Sequence, residues 1–316
     1  MYKICIITII SALFFFVAQT SISQAMDNAA SGQEALSAAS SQLPTENVQW
    51  VAFLDKLLDP ESKERKILEG ATSILSSTQE IGYETERTIG ESLALEGFKR
   101  YGLPVKDNKL QRYVNILGAA LALNSQRPNL PYRFVVVQSP LQNAFSCPGG
   151  IIFLSSGLIE TIDDEGQLAC ILAHEIAHVG YKHALSSIRR ARFFQGVGKV
   201  TAATMKGEEG KEFESMIGDL QNVLFDKGLD RNMEFEADQQ AMITAYRTGY
   251  NPRGMLEVLQ ELKRIEASSQ KQGSWFSTHP PLFQRINRCE QYMANYPDWR
   301  EMARLSQRFK RMTAGM

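Results

Sequence analysis

Apolar residues at Leu110, Tyr113, Val114, Leu117 and Leu121 recur three and four apart, which predicts an amphipathic helix broken at Arg127-Pro128. An earlier stripe, Trp50, Phe53, Leu54, Leu57 and Leu58, predicts another ending near Asp59-Pro60, docked on its own domain rather than on a partner or membrane surface. Between Pro131 and Pro140 the run Tyr132 to Val137 is rich in β-branched residues and reads as a strand. Gly149-Gly150 leads into a second strand, Ile151 to Leu154, and the two are expected to form a hairpin-like sheet around a long loop, Ser139 to Pro148. A helix opened by Thr161, Asp163, Asp164 and Glu165 should run to about Leu185, because acidic side chains suit a helix N-terminus. Further helices are expected over Phe213 to Phe225, Met233 to Tyr246 and from Asn251-Pro252 through Ile265, with a helical polar end. The fold class is therefore α+β, mainly helical with one small sheet.

Residues 1–25 carry Lys3, an apolar stretch from Ile4 to Val17 and small residues at Ser23-Gln24-Ala25, the pattern of a cleaved signal peptide. The apolar run is short for a spanning anchor. Residues 26–49 read as a flexible leader, 50–79 as a helical extension, 80–295 as the main domain and 296–316 as a helical tail. The expected location is the periplasm, with peripheral membrane association as an adjunct.

The chain has 316 residues, 44% of them hydrophobic, enough for a substantial core. Its 34 basic and 35 acidic residues leave no charge excess to hold a phosphate backbone, so nucleic acid is not an expected partner. Cys147, Cys170 and Cys289 would remain after cleavage, and no pairing among them can be chosen. Cys170 lies among Leu168, Ala169 and Ile171 and reads as a core thiol.

The chemistry centres on His174-Glu175-Ile176-Ala177-His178. Residues four apart on a helix share a face, so both imidazoles can bind one metal ion, with Glu175 beside them as general base toward its bound water. A catalytic zinc site needs a third protein ligand. In Glu234-Phe235-Glu236-Ala237-Asp238, Glu234 and Asp238 share a face whereas Glu236 points away. Glu234 is thus the expected ligand and Asp238 the carboxylate that orients a ligand histidine. His183, nine residues past His174, falls about half a turn out of phase and is expected to face away from the metal.

These residues resemble the CAAX prenyl protease, HtpX-like and BepA-like zinc metallopeptidases, over about Glu80 to Arg288. Besides the two motifs above, the resemblance rests on Asn143-Ala144-Phe145 with Pro148-Gly149-Gly150, and on Ser277-Thr278-His279-Pro280-Pro281 followed by Arg285. It implies a zincin-like gluzincin peptidase domain with one Zn2+ per chain on His174, His178 and Glu234, and Glu175 as catalyst. His279 and Arg285 would stand over the site, His279 either restraining the metal or helping to hold the substrate carbonyl. Either residue is expected to stabilise the oxyanion. Substrate would lie extended along the Gly149 to Leu154 strand, with Asn143, Ala144, Gly149, Gly150 and Ile151 as its contacts. Exported, single-domain members are the closer analogue, and unfolded or misassembled envelope polypeptides the expected substrates, with outer-membrane assembly machinery as a further partner. A different class stays open: a periplasmic chaperone or outer-membrane assembly factor whose metal is structural. Glu175 favours catalysis, since a structural site needs no base.

Overall fold

Fifteen of the sixteen residues in the helix that carries the histidine pair are buried, so the rest of the fold is arranged around it. The computed structural model describes residues 81–187, 189, 218–268, 279 and 282–315, all within one compact unit, Ile67–Met316. The expected signal, leader and Trp50 helix lie outside the described residues, as does most of the segment between residues 188 and 217.

The chain enters through α1 (Tyr83–Tyr101) and α2 (Asn108–Ala122). Asp107 caps α2 by accepting from the amides of Lys109 and Leu110, and the predicted stripe from Leu110 to Leu121 faces the core. Three strands follow: β1 (Arg133–Val137), β2 (Ala144–Cys147) and β3 (Ile151–Ser155). A single helical turn, α3 (Ser156–Ile159), leads to α4 (Glu165–Gly180), capped by Asp164. After a π-helical turn at Asn222–Lys227 come α5 (Arg231–Arg247), α6 (Arg253–Ser268), α7 (Leu282–Tyr292) and α8 (Ser306–Thr313). The architecture is mainly helical with one small sheet, as the periodicity predicts.

The sheet departs from the expected hairpin. Its order is β1-β3-β2, with β1 parallel to β3 and β2 antiparallel to β3. The loop expected over Ser139 to Pro148 holds β2, whose four residues are all buried and therefore show no alternation of polar and apolar positions. The true hairpin joins β2 to β3 through Pro148-Gly149-Gly150, where φ of 80° and 101° at the two glycines suits residues without a Cβ. Since β3 is the middle strand, both of its edges are occupied, and the expected pairing of substrate along Gly149 to Leu154 is blocked.

The metal-bearing helix is also shorter than predicted. It ends at Gly180, and Lys182 adopts φ 55°, turning the chain before it becomes helical again over residues 183–187. Cys147, Cys170 and Cys289 are buried free thiols, which leaves no pairing among them.

Candidate metal centre

Helix α4 presents His174 and His178 on one face, and α5 lies against it presenting Glu234 and Asp238. Both pairs are one turn apart, so two helices packed side by side bring four side chains together. The two Nε2 atoms are 2.9 Å apart, and each lies 3.6 Å from an oxygen of Glu234. Tetrahedral zinc with bonds of 2.0–2.1 Å would place its donors about 3.3–3.4 Å from one another. The donors present bracket that separation and offer the nitrogen and oxygen set that zinc accepts, so they fit the ion. His279 joins them, and one ligand atom from each of His174, His178, Glu234 and His279 lies within 4.8 Å of the others.

Asp238 stands behind the site, its Oδ1 3.0 Å from Nδ1 of His174. A carboxylate there orients the ring and leaves Nε2 with its lone pair toward the donors. Burial would lower the pKa of His174, yet hydrogen bonds to Asp238 and Glu234 outweigh it and push the value up to about 9. The same carboxylates that favour a proton on this imidazole favour a cation beside it. Burial drives His178 well below its ordinary value and so keeps it neutral. Burial would raise Glu234, but the attraction of His279 and Arg285 holds it well below the usual carboxylate range. Glu234 is therefore ionised.

Glu175 is fully buried, and neither carboxylate oxygen has a hydrogen-bond partner among the described residues. Nε2 of His279 lies 3.8 Å from its Oε1. A buried carboxylate without a partner is costly to keep and marks a site whose remaining partners arrive with the ligand.

Arg285 occupies a different place from the one expected. Its guanidinium gives two 2.7 Å hydrogen bonds to Asp238, lies 3.1 Å from Oε2 of Glu234 and donates to the carbonyl of His279 at 2.8 Å. Fully buried and committed to Glu234, Asp238 and the His279 backbone, Arg285 sits as a positioning side chain, and the expected oxyanion contact does not follow from its location. His279 reaches both oxygens of Glu234 at 3.0 Å through Nδ1, with Nε2 3.4 Å from the carbonyl of Ala144.

Among the expected substrate contacts, Ala144 alone is brought to the donors. The Gly149 amide donates to Glu86, the Gly150 carbonyl accepts from Arg133, and Ile151 pairs with Arg133 and Cys147. The Asn143 backbone is joined to Ser155 through both its amide and its carbonyl. A narrow cleft opens beside the donors, lined by Phe145, Ser146, Glu175, His178, Val223, Leu224, Leu229 and His279. Its strand wall is β2, an edge of the sheet.

His183 overturns the expectation that it faces away. Its Nδ1 lies 2.8 Å from Nδ1 of His178, and its Nε2 lies 3.1 Å from Oε2 of Glu236. The half-turn offset assumed one continuous helix, and the left-handed residue Lys182 resets that phase. Gly180 was the available signal, since glycine favours helix ends.

A buried donor set on two helices, with a further carboxylate beside it, is the kind of site that a metal-dependent peptidase presents. The defining pattern of Peptidase family M48 matches residues 106–293, and the chain belongs to that family. It is 30% identical over 188 residues to the beta-barrel assembly-enhancing protease of Yersinia pestis, covering 56% of this chain and 37% of the relative. It is 28% identical over 196 residues to the mitochondrial metalloendopeptidase OMA1 of Bos taurus, covering 59% and 38%. With the mitochondrial metalloendopeptidase OMA1 of Schizosaccharomyces pombe it shares 24% identity, covering 68% and 63%. The chain thus spans less than two thirds of the length of each of these relatives.

Proposed function

We propose that the chain is a zinc-dependent endopeptidase acting on unfolded or misassembled polypeptides of the cell envelope. The observation that carries this reading is the unpartnered, fully buried Glu175 beside three convergent donors. His174, His178 and Glu234 would hold the ion. When bound, zinc supplies a Lewis acid that polarises a carbonyl and brings the pKa of water toward neutrality. Glu175 takes the proton of the attacking water and returns it to the leaving amine, as its place beside the histidine pair allows. Asp238 holds the His174 ring in the ligating tautomer, while Arg285 keeps Glu234 and Asp238 ionised and in register. His279, bonded to Glu234, either restrains the site or turns toward the substrate carbonyl.

The free side of β2 rather than β3 is the wall along which an extended substrate would pair, because only an edge strand has backbone groups to offer. Envelope substrates are supported by the name of the Yersinia pestis relative and by the signal-like residues 1–25. Export to the periplasm follows from the same segment. Among the described residues no helix is long and apolar enough to cross a membrane.

The test is cleavage of an unfolded, carboxymethylated polypeptide by wild type, chelator-treated protein and Glu175→Gln, with zinc content measured alongside. Cleavage lost in both treatments while Glu175→Gln keeps its zinc is the expected result. Undiminished cleavage by the zinc-loaded variant would overturn Glu175 as the base, whereas zinc-containing wild type that cleaves nothing would leave a chaperone or assembly factor with a structural metal as the better reading.

A further inference from the structure

We infer that His183 and Glu236 are positioning residues that set the tautomer of the ligand His178 through a two-step hydrogen-bond relay; this rests on the metal site proposed above. Two imidazole nitrogens 2.8 Å apart, Nδ1 of His178 and Nδ1 of His183, must share one proton, one donating and the other accepting. The far side of His183 decides which. Its Nε2 faces the Glu236 carboxylate at 3.1 Å, and an ionised carboxylate only accepts. A ring that donates from Nε2 to that carboxylate and bears a single N–H presents its Nδ1 as a lone pair. His178 must then carry its proton on Nδ1, which leaves Nε2 free to face His174 and Glu234.

The arrangement holds the ring as well as the proton. Tyr181 stacks on His183 with ring centres 5.5 Å apart and planes 17° from parallel, and its hydroxyl is held between Gln126 and Gln240. His174 and His178 are thereby oriented by different means. His174 meets Asp238 directly, in a pair closed off from water and neutralised by Arg285. His178 meets a second imidazole, whose carboxylate is half-exposed at 51%. The carboxylates behind the two ligand histidines thus differ in their exposure to solvent.

The test is zinc affinity, measured by competition with a chromophoric chelator, together with the visible spectrum of the cobalt-substituted protein. His183→Leu removes the acceptor and should weaken zinc about 10- to 100-fold, the usual effect of losing a hydrogen-bond partner of a ligand. His183→Asn places an amide oxygen, which can only accept, near the lost Nδ1, so its affinity should return to within a few-fold of wild type. Glu236→Ala should weaken zinc several-fold when residue 183 is histidine and leave it unchanged in the His183→Asn background, because an amide has no tautomer to fix. Equal losses in His183→Leu and His183→Asn would mean that residue 183 acts by packing, and would overturn the relay. Glu236→Ala effects that are identical in the two backgrounds would overturn it too, and this comparison decides the matter if His183→Leu fails to fold. Wild-type protein that binds no zinc would sink the metal site and the relay together, whereas wild-type affinity in folded His183→Leu would sink the relay alone.

Discussion

Arg285 and Asp238 form a two-pronged ion pair wholly inside the protein, with both N···O distances at 2.7 Å. Arg285→Met leaves Asp238 and Glu234 as neighbouring buried carboxylates without their cation. Removing one partner of such a pair costs about 3–5 kcal/mol, because the remaining charge stays desolvated. Denaturant unfolding should show that loss, and metal analysis should show less bound zinc. Arg285→Lys keeps the charge but not the fork, and should recover only part of the stability. Wild-type stability in Arg285→Met would refute the assigned position.

Glu234→Gln should abolish stabilisation by zinc. A ligand that binds only the folded state stabilises it by about 4 kcal/mol at a thousand times its dissociation constant. Melting curves with and without added zinc should therefore separate for wild type and coincide for the variant. A zinc-dependent rise of equal size in Glu234→Gln would place the third ligand elsewhere.

Glu165, at the start of α4, makes the fold sensitive to acid. Burial would raise its pKa, but hydrogen bonds from Arg308, Tyr250 and Tyr113 outweigh it and bring the value below the ordinary one. A carboxylate with a depressed folded pKa contributes its full stability above the unfolded pKa, near about 4.3, and loses it as pH falls through the folded value. Urea unfolding followed from about pH 7 to about pH 3 should show wild type losing stability more steeply than Glu165→Gln. At neutral pH the variant should be weaker by about 2–3 kcal/mol, having lost a charged acceptor shared by three side chains. Parallel acid limbs would contradict this assignment.

Lys182 holds a left-handed conformation that costs a side-chain-bearing residue about 1–2 kcal/mol. Lys182→Gly should therefore be neutral or stabilising by up to about 1 kcal/mol. Lys182→Val should destabilise and, by shifting His183, weaken zinc binding as well. Thermal melts and chelator competition report the two effects separately. A Lys182→Val variant that keeps both stability and affinity would show that the turn does not hold His183 in place.

Local spacing made much of this molecule readable. The predicted stripe of α2, the capped start of α4 and the four-residue spacings of His174 with His178 and Glu234 with Asp238 all depend on one regular helix at a time. Strand β2 was not readable, because Ala144-Phe145-Ser146-Cys147 is buried on both faces and so lacks the alternation that marks a half-exposed strand. The place of Arg285 was equally hidden. Nothing in its own helix specifies that it will meet two carboxylates 47 and 51 residues earlier.

The amino-acid sequence by itself determined which side chains share a helical face, since 3.6 residues per turn holds wherever the helix is unbroken. Tertiary structure decided the rest: which faces meet, which strand lies at the edge, and where the chain points after a turn. His183 shows the difference most clearly. Counted along an unbroken helix it lies opposite the donors, yet one left-handed residue at Lys182 brings its Nδ1 to 2.8 Å from His178. Phase is a local property only until the backbone leaves the helix, and beyond that point packing sets the direction.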